Sequence, residues 1–143
     1  MILPKKEKPE VLVSAAALFN DLDNILLTLR PEGKSMAGLW EFPGGKVRSG
    51  ELIKSALIRE LSEELNISVN ENNLFLFKDI YYEYNNFYLL MILYCCWEWE
   101  GSITPMEGQK IIWTPIDDLS KYKMPPADLP LVSMLQKKFL CKR

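Results

Sequence analysis

An apolar residue recurs every four positions in the middle of this chain, at Ile53, Leu57, Leu61 and Leu65. This spacing places the four side chains on one face, so it predicts an amphipathic helix over residues 51–65. Ser49 or Gly50 is expected to cap the start of this helix. A helix with one apolar face needs a second layer to pack on, and the flanking segments must supply that layer.

The flanking segments are typical of strands separated by turns. A first hairpin is expected from residues 11–19 and 25–29, because the segment between them is rich in turn-forming residues. A second hairpin is expected from residues 74–84 and 87–99, around two asparagines that tolerate left-handed turns. The remaining elements are a Pro-Gly-Gly turn at 43–45, a strand restarting at 46–47, a loop at 101–110, a strand at 111–114 and a helix at 130–140. This order predicts an α+β or α/β sandwich, with a mixed β-sheet packed between the mid-chain helix and the C-terminal helix.

Length and charge limit the partners that the chain can have. Its 143 residues, 48% of them hydrophobic, predict one domain spanning 1–143, with roughly residues 1–10 as an N-terminal extension. A net charge of −2 argues against a nucleic-acid polymer as partner. The longest apolar run, 87–97, is too short to cross a bilayer, and the charged N-terminus does not resemble a signal peptide. We therefore expect a cytoplasmic protein without a membrane partner, as a monomer or weak homodimer.

The cysteine and histidine content narrows the possible chemistry. Cys95 and Cys96 are adjacent in an apolar run and Cys141 stands alone, so buried reduced thiols are expected rather than a disulfide. The chain has no histidine. Acid–base chemistry near neutral pH must therefore use carboxylates, lysine, tyrosine or a metal-activated water.

Three glutamates lie close together on the predicted mid-chain helix. Glu63 and Glu64 follow Glu60 by three and four residues, so the three side chains are expected to share one face, where their charges repel. A hard divalent cation such as Mg²⁺ relieves this repulsion and commonly bridges carboxylates to phosphates. A solvated acidic face is the alternative. The neighbouring Gly44-Gly45 pair, which permits close approach of a ligand, and Arg59, which can pair with a carboxylate or phosphate, favour the metal site.

Together these residues match a known pattern. The stretch from Gly45 to Ile67 fits the Nudix box, Gly-x5-Glu-x7-Arg-Glu-U-x-Glu-Glu-x-Gly-U, where U is a bulky apolar residue. The chain therefore resembles the Nudix hydrolases, and the segments 39–45, 107–109 and 125–130 resemble those of MutT-type members. One position departs, since Asn66 replaces the late glycine. Asparagine is the next most tolerant residue for a left-handed helix end, so the helix is expected to end there.

The resemblance implies a Nudix fold and a role for each residue of the box. The Gly45 carbonyl, Glu60 and Glu64 are expected to bind Mg²⁺, with Mn²⁺ as an alternative ion. Glu63 is expected to be a further ligand or the base that activates water. Two more residues, Glu51 and Arg59, are expected to orient the carboxylates. The loop residue Glu107 is a candidate ligand or base, with an ordinary exposed glutamate as an equal alternative.

The resemblance also implies a substrate site outside the box. Arg30 is expected to contact the substrate phosphate. Lys34 or Lys46 could share that role, although an ordinary solvated surface position is favoured for each of them. Base recognition is expected from Asp128 and the 41–44 segment, that is, Glu41, Phe42, Pro43 and Gly44. MutT-type enzymes place an asparagine where this chain has Asp128, and an ionised aspartate accepts hydrogen bonds only. Asp128 could also cap the C-terminal helix, a role compatible with reading a base.

The function that follows is a magnesium-dependent nucleoside triphosphate pyrophosphohydrolase. The expected substrate is 8-oxo-dGTP, converted to 8-oxo-dGMP and pyrophosphate, which implies sanitation of the nucleotide pool. A pyrophosphatase for CTP or dCTP derivatives is the alternative enzyme. A non-catalytic Nudix-fold nucleotide-binding module is the alternative of another class, and the intact glutamate cluster argues against it.

Overall fold

A computed structural model describes residues 8–33 and 37–140 of the chain. Within these ranges two α-helices and seven strands form, together with short 3₁₀ turns at Glu71–Asn73, Ile116–Lys121 and Pro126–Asp128. The strands and helices are β1 (Glu10–Leu18), β2 (Ile25–Leu29), β3 (Trp40–Glu41), β4 (Gly44–Lys46), α1 (Ile53–Leu65), β5 (Phe75–Glu83), β6 (Tyr88–Cys96), β7 (Ile111–Thr114) and α2 (Leu129–Leu140).

The strands form two sheets. The larger sheet has the order β4-β1-β6-β5, in which β1 and β6 are parallel and the other neighbours are antiparallel. The smaller, antiparallel sheet has the order β3-β2-β7. The expected hairpin of β1 and β2 is wrong, because these strands share only one bridge, between Phe19 and Ile25, and then enter different sheets. Both edges of β1 are already occupied by β4 and β6, which leaves β2 to pair elsewhere.

The larger sheet is packed between the two helices, which confirms the expected layers. Side chains alternate along β1, so Ala15 and Ala17 face a core that includes Leu131 and Leu135 of α2. The intervening residues face a second core, which includes the buried leucines of α1. The four-residue apolar repeat therefore packs α1 on the sheet, with Leu57, Leu61 and Leu65 fully buried.

Helix α1 begins later than expected and ends where expected. Its N-cap is Leu52, which makes no side-chain cap, so the predicted caps at Ser49 or Gly50 are wrong. The Glu51 side chain instead lies before the helix and accepts the Arg48 N–H at 3.0 Å. At the other end Asn66 is left-handed, with φ 58°, and its N–H donates to the Ser62 carbonyl at 3.1 Å. The asparagine therefore replaces glycine at the helix end, as the sequence predicted.

Two turn predictions need correction. Gly44 and Gly45 lie in β4, paired with Ala15 and Ser14, rather than in a turn. A side chain at Gly44 would collide with the backbone of Ser14, which explains why a glycine stands in this strand. The β5–β6 hairpin is confirmed, but only Asp23 and Asn66 have positive φ among the described non-glycine residues, so its two asparagines are not left-handed.

Cys95 and Cys96 are buried free thiols, as expected, and Cys141 lies outside the described residues. Burial raises the pKa of the Cys95 thiol to about 12. No helix in the described ranges is long and apolar enough to cross a membrane.

Candidate active site

A cleft of about 530 Å³ opens over part of the larger sheet, on the same face as α2. Its floor is apolar, because alternate residues of the parallel strands β1 and β6 point into it. The floor residues are Val11, Val13, Ala15, Leu89 and Met91. Polar groups gather at two parts of the rim. We call the part around Glu60, Glu64 and Glu107 the carboxylate end. We call the part around Arg30, Glu41 and Asp128 the base end, because it holds residues expected to recognise a nucleobase.

The carboxylate end contains Glu60 and Glu64, which lie one turn apart on α1, and Glu107 from the loop before β7. Gly45 and Lys46 of β4 complete it. Burial, together with the negative charges of the Glu60, Glu107 and Glu41 carboxylates, raises the pKa of Glu64 to about 9. The neighbouring carboxylates therefore disfavour the ionised form of Glu64.

Arg59 anchors this end from outside the cleft. Its Nε and Nη2 donate to the two oxygens of Glu51 at 2.7 and 2.9 Å, and its Nη1 donates to Glu60 at 2.8 Å. The hydrogen bonds from Arg59 and from the Arg48 N–H lower the pKa of Glu51 to about 2. A rigid fork of donors thus fixes the Glu60 carboxylate against the rim.

Glu63 does not join the other two helix glutamates in the cleft. Its side chain is 48% exposed and accepts a hydrogen bond from Arg59 at 3.2 Å. The expected common face therefore holds for Glu60 and Glu64, which line the cleft, and not for Glu63. The reason is that Arg59 and Glu63 are four residues apart, which turns Glu63 toward the guanidinium.

The donor set at this end suits a hard divalent cation. Gly45 lies so close to Glu60 that a side chain at position 45 would collide with the carboxylate. Within the described ranges, no group of three or more Asp, Glu or Cys side chains could hold a metal ion by itself. Magnesium is commonly bound by one or two carboxylates, with water and substrate phosphates completing its shell, so Glu60, Glu64 and the Gly45 carbonyl fit such an ion.

The loop carrying Glu107 is tied to the C-terminal end of α1. The Glu64 carbonyl accepts hydrogen bonds from the Met106 N–H at 2.9 Å and from Gln109 Nε2 at 3.0 Å. Gln109 Oε1 in turn accepts the Glu107 N–H at 2.9 Å. This loop supplies donors that the last carbonyls of a helix lack, and sequence reasoning gave Gln109 no such role.

The base end combines one basic and two acidic side chains. Arg30 Nη1 donates to Glu41 Oε1 at 2.9 Å, and both side chains line the cleft beside Asp128. Asp128 is only 5% exposed, and burial and the charge of Glu41 raise its pKa to about 7, an effect that Arg30 partly offsets. Phe42, 3% exposed, also lines the cleft. Arg30 thus lies beside Asp128, and its expected phosphate contact stays a prediction.

The remaining predicted residues are placed as follows. Pro43 is not part of the cleft lining, and its carbonyl accepts the Ala16 N–H at 2.9 Å. Gly44 and Lys46 line the cleft, whereas Lys34 lies outside the described residues. Asp128 does not cap α2, because the helical turn that leads into this helix begins earlier, with Pro125 at its N-cap.

Two aromatic residues that line the cleft were missed. Tyr84 and Phe87 reach the base end from the connection between β5 and β6. Their rings stack with centroids 4.9 Å apart. The sequence shows an aromatic hairpin here, but it carries no signal that the hairpin folds over the same cleft as Asp128, which lies far along the chain.

Comparisons with known proteins agree with this geometry. A family model described as the NUDIX domain matches residues 14–134. An 8-oxo-dGTP diphosphatase from Haemophilus influenzae is 36% identical over 129 residues, covering 90% of this chain and 93% of that protein. A CTP pyrophosphohydrolase from Escherichia coli is 32% identical over 117 residues, covering 82% of this chain and 85% of that protein.

A solved structure from work on MutT of Aliivibrio salmonicida and Vibrio cholerae superposes with a TM-score of 0.78. The two sequences are 33% identical, and the match covers 91% of this chain and 99% of that one. The resemblance inferred from the box between Gly45 and Ile67 is thereby confirmed. Because the family model spans most of the chain and these relatives match over most of their own length, the chain belongs to the Nudix family of hydrolases.

Proposed function

We propose that this protein is a magnesium-dependent pyrophosphohydrolase that converts 8-oxo-dGTP to 8-oxo-dGMP and pyrophosphate. The observation that carries the proposal is one cleft with a carboxylate end and a buried, hydrogen-bonding base end. Water cleaves the bond between the α- and β-phosphates, so the nucleoside leaves as its monophosphate. The 8-oxo-dGTP diphosphatase name of a relative matching 90% of the chain supports this substrate.

The carboxylate end would hold the metal and the phosphates. Nudix hydrolases generally use divalent metal ions, and we propose Mg²⁺ here, with Mn²⁺ as an alternative. Glu60, Glu64 and the Gly45 carbonyl would hold it. When bound, the ion neutralises phosphate charge and makes water a better nucleophile. Arg59 and Glu51 fix the Glu60 carboxylate before substrate arrives, so little rearrangement is needed.

Protons and phosphate charge would be handled by three further side chains. Glu107 lines the cleft close enough to raise the pKa of Glu64, which makes it our candidate for an extra ligand or base. Glu63 is turned to Arg59 and exposed, so that role would require its side chain to rotate. The positive charge of Arg30 at the rim would attract the triphosphate.

The base end would select the nucleobase. Asp128 is buried in the cleft, close to the charges of both Glu41 and Arg30. With a pKa of about 7 it exists in both forms near neutral pH. The protonated carboxyl can donate and accept, whereas the ionised form only accepts. Phe42 supplies an apolar contact beneath the base.

The same residue supports a second candidate, a pyrophosphatase for CTP or dCTP derivatives. An ionised Asp128 would accept a hydrogen bond from the exocyclic amino group of cytosine. The similarity to the CTP pyrophosphohydrolase from Escherichia coli, which is 32% identical over 82% of this chain, supports this candidate.

A substrate panel separates these candidates. Pyrophosphate release is measured with Mg²⁺ on 8-oxo-dGTP, dGTP, dCTP and CTP, and the reaction is repeated with Mn²⁺ and with a chelator. We expect the highest kcat/KM with 8-oxo-dGTP and none with chelator present. A preference for CTP would establish the second candidate instead. Binding without release of pyrophosphate from any substrate would identify a non-catalytic module.

We further propose that the chain acts as one Nudix domain, with residues before β1 as an extension. A substrate drawn from the nucleotide pool implies work in the cytoplasm, alone or as a weak homodimer. Sedimentation at several protein concentrations would test the oligomeric state.

A further inference from the structure

The turn that carries Asp128 is held by a residue from a distant hairpin. Tyr84 Oη accepts a hydrogen bond from the Ala127 N–H at 3.1 Å. Ala127 belongs to the 3₁₀ turn Pro126–Asp128 and is fully buried. The first N–H groups of a helical turn have no partner within the turn. Pro125 and Pro126 have no N–H, so Ala127 provides the first backbone donor of this turn, and Tyr84 satisfies it.

Tyr84 is itself fixed by its own hairpin. Its N–H donates to the Phe87 carbonyl at 2.8 Å. Its ring packs between Phe87, at 4.9 Å between centroids, and Tyr82, at 4.7 Å. Burial raises the pKa of the phenol, which keeps the hydroxyl protonated and neutral near neutral pH. The oxygen that accepts the hydrogen bond from the turn therefore belongs to a fixed aromatic side chain and not to a flexible surface side chain.

The same side chain reaches the cleft. Tyr84 and Asp128 both line the base end, and the charge of Asp128 contributes to the raised pKa of Tyr84. Asp128 follows Ala127 directly, and its own N–H donates to the Pro125 carbonyl at 2.9 Å. A displacement of Ala127 would thus move the Asp128 carboxyl group in the cleft.

We propose that Tyr84 is a positioning residue for base selection, holding the Asp128 turn in place through the Ala127 N–H. The inference rests on the proposed function, in which Asp128 reads the base. Tyr84 acts through the turn and not on the phosphates. Its loss should therefore weaken substrate binding and selectivity while leaving the chemical step largely intact.

The test compares Tyr84→Phe with Tyr82→Phe. Tyr84→Phe removes the hydroxyl and keeps the ring, whereas Tyr82 lies two residues earlier, in β5, and does not line the cleft. For Tyr84→Phe we expect KM for the preferred triphosphate to rise about fivefold, the usual effect of one neutral hydrogen bond, with kcat within about twofold. Discrimination against the non-preferred bases of the panel should fall as well. Tyr82→Phe should match the wild type in all three quantities.

A double-mutant cycle shows whether Tyr84 acts through Asp128. In an Asp128→Ala background, Tyr84→Phe should have no further effect on base discrimination. Additive effects would overturn the positioning role, because they would mean that Tyr84 touches the base by itself. Equal behaviour of Tyr84→Phe and Tyr82→Phe would overturn it too.

Hydrogen exchange of the Ala127 amide tests the contact in the wild-type protein and does not require a variant to fold. The Ala127 amide should exchange slowly with solvent hydrogen, and in Tyr84→Phe it should exchange at least about tenfold faster. An unprotected Ala127 amide in the wild type would remove the basis of the inference. A wild type that releases no pyrophosphate would instead contradict the proposed function, and the amide measurement would still report on the Tyr84 contact.

Discussion

The two ends of the cleft are built in different ways. The carboxylate end comes mainly from one continuous stretch, in which Gly45, Glu60 and Glu64 are brought together by β4 and one turn of α1. The base end comes from separate segments that meet only in the folded chain, among them Arg30, Tyr84 and Asp128. The first end is held by charged hydrogen bonds from Arg59, and the second by buried packing and the Tyr84 contact.

This difference indicates how each end can change. A helix fixes the relative direction of residues three and four apart, so the carboxylate end depends on spacing that a single insertion would destroy. The base end depends on loops and a hairpin tip, where we expect substitutions to alter recognition without disturbing α1. Reaction class and base preference should therefore respond to different mutations.

The largest effect is expected from Glu64→Gln, which removes a proposed metal ligand from the carboxylate end. We expect kcat/KM to fall about a thousandfold or more, since metal assistance contributes several kcal/mol to the barrier. The matched control is Glu63→Gln, one position away but outside the cleft lining, with a loss of about thirtyfold or less. Equal losses in the two variants would remove the distinction drawn between these glutamates.

The next effect concerns the stability of the base end and its dependence on pH. The pKa of Asp128 rises from 3.8 to about 7, chiefly because the group is buried and also faces Glu41, against the opposing charge of Arg30. The neutral carboxyl favours the fold below pH 4, and this contribution is lost as the pH rises through about 7. Asp128→Asn cannot ionise, so its free energy of unfolding relative to the wild type should rise by about 4 kcal/mol between pH 4 and pH 8.

Urea unfolding of both proteins across this pH range measures the difference, and Glu64, present in both, cancels from it. A constant difference between the two proteins would show that Asp128 ionises normally in the fold.

A smaller loss is expected when the anchor of the carboxylate end is weakened. Arg59→Lys keeps the charge but cannot make the paired bonds to Glu51 together with the bond to Glu60. We expect kcat to fall by about 10- to 100-fold, with little change in base discrimination. Steady-state kinetics on the substrate panel checks both quantities. A change in discrimination would show that the two ends are coupled.

The smallest effect is expected at the end of α1. Asn66→Ala places an ordinary residue at φ 58° and should lower the free energy of unfolding by about 1 kcal/mol, whereas Asn66→Gly should be neutral or slightly stabilising. Neither should alter base preference. Thermal unfolding of the two variants gives the comparison, and an unchanged Asn66→Ala would mean that the backbone relaxes there at no cost.

The sequence predicted one end of the cleft far better than the other. The mid-chain helix and the common face of Glu60 and Glu64 follow from local periodicity, so they were predictable, and the left-handed helix end at Asn66 followed from the glycine of the Nudix box that it replaces. Asp128 and Glu41 were identified through resemblance alone. Their proximity to Arg30 and Tyr84 depends on tertiary packing, which local patterns in a single sequence do not predict.

The errors have a related cause. The β1–β2 hairpin was expected because neighbouring strands usually pair, but β1 takes β6 from the other half of the chain as its parallel partner. A cap at Ser49 or Gly50 was expected from residue type. The helix begins after Leu52 instead, and the Glu51 side chain before it accepts hydrogen bonds from Arg59 and the Arg48 N–H. In both cases a long-range or side-chain contact prevailed over a local preference.

The parallel pairing of β1 with β6 also affects how the protein is made. On the ribosome, β1 and α1 emerge well before β6, so the floor of the cleft cannot form until the second half of the chain follows. A helix as short as α1 is marginal in water without the sheet beneath it. The nascent chain therefore carries the complete Nudix box for some time without an active centre, and its exposed leucines are surfaces that chaperones would recognise.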